Sequence, residues 1–75
     1  MNAVHLSRID LARNMHRFYR LDVQPDLFGG ILLVTEWGRI GAHGHMVAEP
    51  YDSEALAAVA LQRQAGRRRR RGYAS

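Results

Sequence analysis

The sequence predicts an α+β fold: a small antiparallel sheet with one helix packed against it. Three observations carry this. Residues 4–10 and 17–23 alternate apolar and polar side chains with a period of two. Residues 31–37 form a run dense in β-branched and aromatic residues. Residues 55–64 contain neither Gly nor Pro and are rich in Ala, Leu, Gln and Arg, which are strong helix formers.

In chain order, the first strand runs from Val4 to Asp10, with Val4, Leu6 and Arg8 on one side and His5, Ser7 and Ile9 on the other. Ala12 to Met15 reads as a connection. Arg17 to Val23 sets Tyr19, Leu21 and Val23 against Phe18, Arg20 and Asp22, the pattern of a half-buried strand. Gln24-Pro25-Asp26 breaks it, because Pro has no N–H to donate. Gly29-Gly30 is a tight turn. The continuous apolar core of Ile31 to Trp37 suggests a central strand covered on both faces, with a loop beginning at Gly38. Met46 to Ala48 is a short strand ended by Pro50. Asp52-Ser53-Glu54 supplies an N-cap and an acidic first turn. Leu56, Val59, Ala60 and Arg63 fall on one helical stripe, small Ala residues dominate elsewhere and let the helix sit close on a sheet, and Gly66 is the expected stop. Gly72-Tyr73 either starts a last short strand or anchors the C-terminal segment.

Length and composition bound the function. With 75 residues the chain holds one domain, 1–75, with a basic C-terminal segment at 67–75. A chain of this size buries only about 60% of the surface exposed when unfolded, so its stability is marginal. The absence of Cys excludes a disulfide scaffold, a Cys-ligated zinc site, a Cys nucleophile and an iron–sulfur cluster. No apolar run reaches the roughly 20 residues that span a bilayer. MNAVHLSRID has no basic region followed by an apolar one, so no signal peptide is expected and the expected location is cytoplasmic.

The net charge of +4 conceals an asymmetry. Residues 1–25 carry +2, residues 26–60 carry −4 and residues 61–75 carry +6. All eleven basic residues are Arg, the side chain suited to bidentate phosphate contact. Five stand together, Arg67, Arg68, Arg69, Arg70 and Arg71. Such a block is read as an arm for a polyanion. Its competitors are a solvated tail and the codon usage of a GC-rich genome.

Glu36-Trp37-Gly38-Arg39-Ile40-Gly41-Ala42-His43-Gly44 is the most informative stretch. A lone Trp is commonly core. Here it closes a strand beside Arg and a glycine-rich bend, where an indole can stack on a base or sugar while the guanidinium meets phosphate. The glycine spacing is not the dinucleotide fingerprint, no helix opens after it, and the chain has no Lys for a phosphate loop. Gly38 to Gly41 fits the KH loop, but a strand precedes it where that family has a helix. His43 and His45 point the same way in a strand, yet two ligands make no structural metal site. Ser7, Ser53 and Ser75 sit in no nucleophile motif. Glu36 and Glu49 come close only if a hairpin pairs them, and a carboxylate pair alone is thin support for hydrolysis.

In this order the residues resemble the WGR domain family, over roughly Asn14 to Tyr73. The matching elements are Arg17-Phe18-Tyr19 with Leu21, Leu27-Phe28-Gly29-Gly30, and Trp37-Gly38-Arg39-Ile40-Gly41 with Gly44. Tyr51-Asp52-Ser53 with Ala55, and Arg71-Gly72-Tyr73, complete the set. The resemblance implies an antiparallel sheet carrying one helix. It also implies kinship with single-domain bacterial proteins and with a module of poly(ADP-ribose) polymerases that binds DNA near strand breaks. In that module the Trp packs on a nucleotide sugar at the DNA end, and the Arg makes DNA and interdomain contacts. Carried over, Trp37 stacks, Arg39 makes polar contacts and Arg71 is the basic residue before the final Gly. The chain carries no catalytic ADP-ribosyl domain, and its Arg run is longer than the family's.

The expected function is therefore a non-catalytic nucleic-acid-binding module without sequence specificity, with DNA as the first partner and RNA the second. Its expected contact residues are Trp37, Gly38, Arg39 and Arg67 to Arg71, with no catalytic residue, metal, cofactor or membrane. The alternatives are a protein-interaction module that docks an acidic partner through the same surface, and self-association through strand edges.

Overall fold

Four strands follow one another in the computed structural model, which describes residues 3–75. They are β1 (Ala3–Asp10), β2 (Met15–Pro25), β3 (Ile31–Arg39) and β4 (His45–Tyr51), paired in that order as one antiparallel sheet. A single 3-10 turn, Leu11–Arg13, joins β1 to β2 and ends at Asn14, whose φ is +51°. The helix α1 (Glu54–Arg70) follows β4. The α+β expectation holds.

The period-two patterns of β1 and β2 predict their faces. Leu6, Tyr19, Leu21, Val23 and Leu33 are buried on one side of the sheet, beneath Ala57, Leu61 and Ala65 of α1. Burying a Leu fully is worth about 1.5–3 kcal/mol, so this layer dominates stability. The β2–β3 hairpin is closed by Asp26. Its N–H donates to Gly30 (2.8 Å), its carboxylate accepts from Phe28 N–H (3.0 Å), and Gly29 takes a φ of +86°. Leu27 and Phe28 project from this turn, 97% and 93% exposed.

Several sequence expectations are corrected. Ile31 to Trp37 is central, but the helix covers only one of its faces. Leu33 and Thr35 lie under α1, while Val34 and Glu36 point to the open side. The unbroken apolar run concealed an ordinary alternation, with Thr35 in the core phase. β3 does not stop at Gly38; pairing continues to Arg39, opposite Arg17. Pro25 and Pro50 both lie within strands, because β2 needs no donor at its last residue and β4 is an edge.

The helix departs most from expectation. Ser53 caps it as expected, its hydroxyl accepting from Leu56 N–H at 3.1 Å. Gly66 does not end it: α1 continues through Arg67 to Arg70. The stop is Gly72, with φ +97°. Tyr73 N–H donates to Arg68 C=O (3.1 Å) and Gly72 N–H to Arg69 C=O (3.1 Å), which is the Schellman arrangement. The basic segment is thus a helix end and not a loose arm. The small-residue face is the one that meets the sheet, joined by Leu61, and Ala60 packs beside it. Leu56 and Val59 are 53% and 56% exposed, and the buried positions are Ala57, Leu61 and Ala65. Small residues on that face let the helix axis approach the sheet closely.

After Gly72 the chain returns to the sheet. Tyr73 is buried, and Ala74 exchanges two hydrogen bonds with Ser7 of β1, at 2.8 and 2.9 Å. Both readings of Gly72-Tyr73 are met by one feature, a one-residue bridge that anchors the segment and covers part of the β1 edge. Among the described residues no helix is long and apolar enough to cross a membrane.

Candidate nucleic-acid interface

Register aligns the helix-facing side chains into rows across the sheet. At the end bearing the β1–β2 and β3–β4 turns, Arg8 of β1 lies opposite Arg17 of β2, and Arg17 lies opposite Arg39 of β3. The next row is Leu6, Tyr19, Trp37 and His45. Three guanidinium groups therefore border a row of aromatic rings.

The C-terminal end of α1 lies over the same rows. The Arg68 guanidinium carbon is 4.2 Å from the centre of the Tyr19 ring and 5.7 Å from that of Tyr73, a cation–π arrangement. Tyr73 meets Tyr19 edge-on at 6.2 Å, and Tyr19 donates its hydroxyl to Gln64 Oε1 at 3.2 Å. Trp37 is half-buried between His45, stacked on it at 5.5 Å and 30°, and Tyr19 at 6.5 Å and 31°. Because His45 covers one indole face, the ring offers a nucleotide only part of its surface. Arg39 is exposed and donates one long hydrogen bond, 3.4 Å, to Asn14 C=O, leaving most of its five donors free.

Apart from Arg8, whose guanidinium end lies against Gly72, the charged and aromatic groups line two adjoining depressions. One, of about 470 Å³, is walled by Arg17, Trp37, Gly38, Arg39, His45 and Arg68, with Tyr73. The other, of about 280 Å³, is walled by Tyr19, Gln64, Arg67, Arg68 and Arg71. Arg68 belongs to both. Among the described residues the ion pairs are Arg13 with Asp10 (3.7 Å) and Arg20 with Glu36 (3.1 Å). None of the arginines that line either depression is neutralised by a carboxylate there.

Of the residues expected from sequence, Trp37, Gly38, Arg39 and Arg68 meet in the first depression, and Arg67 and Arg71 in the second. Arg69 and Arg70 line neither. Arg17, His45, Gln64 and the ring of Tyr73 were not expected at the site. Arg17 had a legible signal: it sits in phase with Tyr19, Leu21 and Val23, so a charge occupies the core side of a strand end. The two carboxylates considered for hydrolysis lie on opposite faces, Glu36 opposite Met46 and Glu49 opposite Leu33, so they cannot act as a pair. His45 is committed to its stack, and no group of three metal-ligating side chains occurs among the described residues.

The family's sequence pattern matches residues 2–75, nearly the whole chain. The chain belongs to the WGR domain family. It is 37% identical over 70 residues to an uncharacterized protein, y4dW, of Sinorhizobium fredii, a match covering 93% of this chain and 34% of that protein. The WGR chain thus spans about a third of the length of this curated relative. No solved structure matches it.

The WGR tripeptide has a direct structural rationale. Residues i and i+2 of a strand share a face, so Trp37 and Arg39 both point to the helix side. Gly38 points the other way into a crowded place. A Cβ there would lie 2.9 Å from Gly44 Cα, and one on Gly44 would lie 2.5 Å from the Trp37 carbonyl oxygen. The two glycines let the ends of β3 and β4 close on each other. Ile40 N–H then donates to His16 C=O at 2.8 Å, fixing this turn beside the start of β2.

Proposed function

We propose that this WGR domain is a non-catalytic nucleic-acid-binding module, acting foremost on DNA and indifferent to duplex sequence. The observation that carries the reading is the Arg8–Arg17–Arg39 row, unneutralised and joined at its edge by Trp37 and Arg68. Like charges directly opposite each other in a sheet are destabilising. A polyanion laid across the row removes that cost and gains bidentate contacts. Trp37 packs on sugar, a smaller target than a base and suited to a ring already stacked with His45. No helix carries a set of Asn, Gln and Arg on one face for the major groove, so the backbone supplies the affinity.

The test is fluorescence anisotropy with labelled nicked, blunt and single-stranded DNA at several salt concentrations. Trp37→Ala is expected to weaken binding about tenfold or more, and the Arg39→Ala, Arg68→Ala pair is expected to weaken it further. Affinity that does not change between low and physiological salt overturns the reading. Docking of an acidic protein through the same surface predicts instead that the unaltered domain binds DNA feebly and that these variants change nothing.

A further inference from the structure

Thr35 is 5% exposed, and its hydroxyl has no hydrogen-bond partner. A buried hydroxyl left unpaired is costly, and the large majority of buried polar side chains are satisfied. Thr35 lines a third depression, of about 190 Å³, between α1 and strands β2, β3 and β4. Its other walls include Tyr19, Trp37, Glu49, Gln64 and Arg68. Two of these, Trp37 and Arg68, also wall the cationic depression, so the cavity opens beside the proposed phosphate track.

The polar walls differ in what they can donate and accept. Glu49 offers a carboxylate that can only accept, and it forms no ion pair among the described residues. Gln64 already uses its oxygen to accept from Tyr19, which leaves its amide NH₂ to donate. Thr35 can do either. A carboxylate is an unfavourable neighbour for a phosphate, so its presence beside Arg68 calls for a ligand with donors. The Watson–Crick edge of guanine presents two adjacent donors, N1–H and N2–H₂, followed by the O6 acceptor. Those donors suit the Glu49 carboxylate, and the acceptor suits the Gln64 amide or the Thr35 hydroxyl. Adenine and cytosine each present one exocyclic donor next to a ring acceptor, which would face the carboxylate unfavourably. The aromatic rings of Trp37 and Tyr19 give the base apolar walls.

We propose that this cavity receives a single unpaired guanine, with Glu49 accepting from N1–H and N2–H₂, Thr35 and Gln64 serving O6, and Arg68 holding the adjoining phosphate. The inference rests on the nucleic-acid reading and adds to it a base preference at an end or gap, where a base is free of its partner.

The intact chain is titrated with GMP, AMP, CMP and UMP, and with inorganic phosphate alone, reading the fluorescence of Trp37, the single tryptophan. GMP is expected to saturate at a concentration roughly tenfold or more below the other nucleotides and phosphate, the discrimination of one good bidentate pair. Glu49→Gln is expected to abolish that preference. Thr35→Val removes an unpaired hydroxyl from the free protein, so its Tm should stay or rise while its GMP affinity falls. Equal binding of all four nucleotides overturns the proposal, as does a guanine preference that survives Glu49→Gln. Either result, beside salt-sensitive binding of nicked DNA, leaves the general reading standing. Guanine-selective binding of GMP by a domain that binds no DNA strand sustains the pocket and overturns the general reading.

Discussion

Arg17 faces Arg8 on one side and Arg39 on the other, and none of the three meets a carboxylate among the described residues. Like charges opposite one another in a sheet repel, a cost that a bound anion would remove. The expected signature is a pair of opposite effects. Arg17→Ala lowers DNA affinity several-fold in anisotropy titrations and, in urea melts, raises stability. Arg70→Ala, which lines neither depression, changes affinity less than Arg17→Ala does. Trp37 and Arg39 were legible because a glycine flanked by Trp and Arg at a strand end is uncommon chemistry. His45 and Gln64 were not, since a lone His in a loop-like stretch and a Gln on a helix resemble solvated residues until a stack and a hydrogen bond claim them. Thr35 was hidden within an apolar run, where its hydroxyl read as a strand former.

At the scale of the element, α1 shows how packing overrides local signals. Gly66 lies in the helix interior, where a Cβ would meet only the Arg70 Nη1 atom at 3.5 Å. Gly72 holds φ at +97° with Arg8 against it, its Cβ position 3.3 Å from Arg8 Nε. Gly66→Ala is therefore expected to stabilise by about 0.5–1 kcal/mol, and Gly72→Ala to destabilise by about 1–2 kcal/mol, both read from thermal melts. A stop at Gly66 would reverse the two signs. The helix passes Gly66 because Arg is a good helix former, and because Tyr73 reaches the core only if the turn comes after Arg71. Leu61 and Leu56 make the same point about faces. Leu61→Ala should cost about 2–5 kcal/mol, whereas Leu56→Ala should stay within about 0.5 kcal/mol. The sheet takes the small-residue face, as the Ala content of the helix suggests, since Ala admits the helix at close range.

Over the whole molecule charge is unevenly distributed along the strand direction, with Asp10, paired to Arg13, the acid nearest the arginine-rich end. Arg8, Arg13, Arg17, Arg39 and Arg67 to Arg71 gather at the end of the two outer turns and the helix C-terminus. Asp26, Asp52 and Glu54 mark the other end, at the central hairpin and the helix N-terminus. At 0.1 M salt the Debye length is about 10 Å, so the acidic end barely opposes a polyanion at the cationic one. The double variant Asp26→Asn, Asp52→Asn should thus change DNA affinity by less than about twofold at that salt. Four phosphate contacts at the cationic end should give a log–log salt slope of about −3.6 on duplex DNA. The chain already displayed its charge blocks, but not that a meander carries the arginines of β1, β2 and β3 to the same end as those of α1.

By itself the sequence determined the class of fold, the inward sides of β1 and β2, the helix start at Ser53, and the Trp37–Arg39 pair. Each of these follows from contacts between residues near in the chain, through period-two alternation, a capping hydroxyl, or two side chains one residue apart on a strand. Only the tertiary structure decided the Arg8–Arg17–Arg39 row, the end of α1, the His45 stack and the cavity at Thr35. Those depend on register and on how closely a helix approaches a sheet. Register and approach are set by the sum of packing over the whole core, a quantity no short stretch of chain contains.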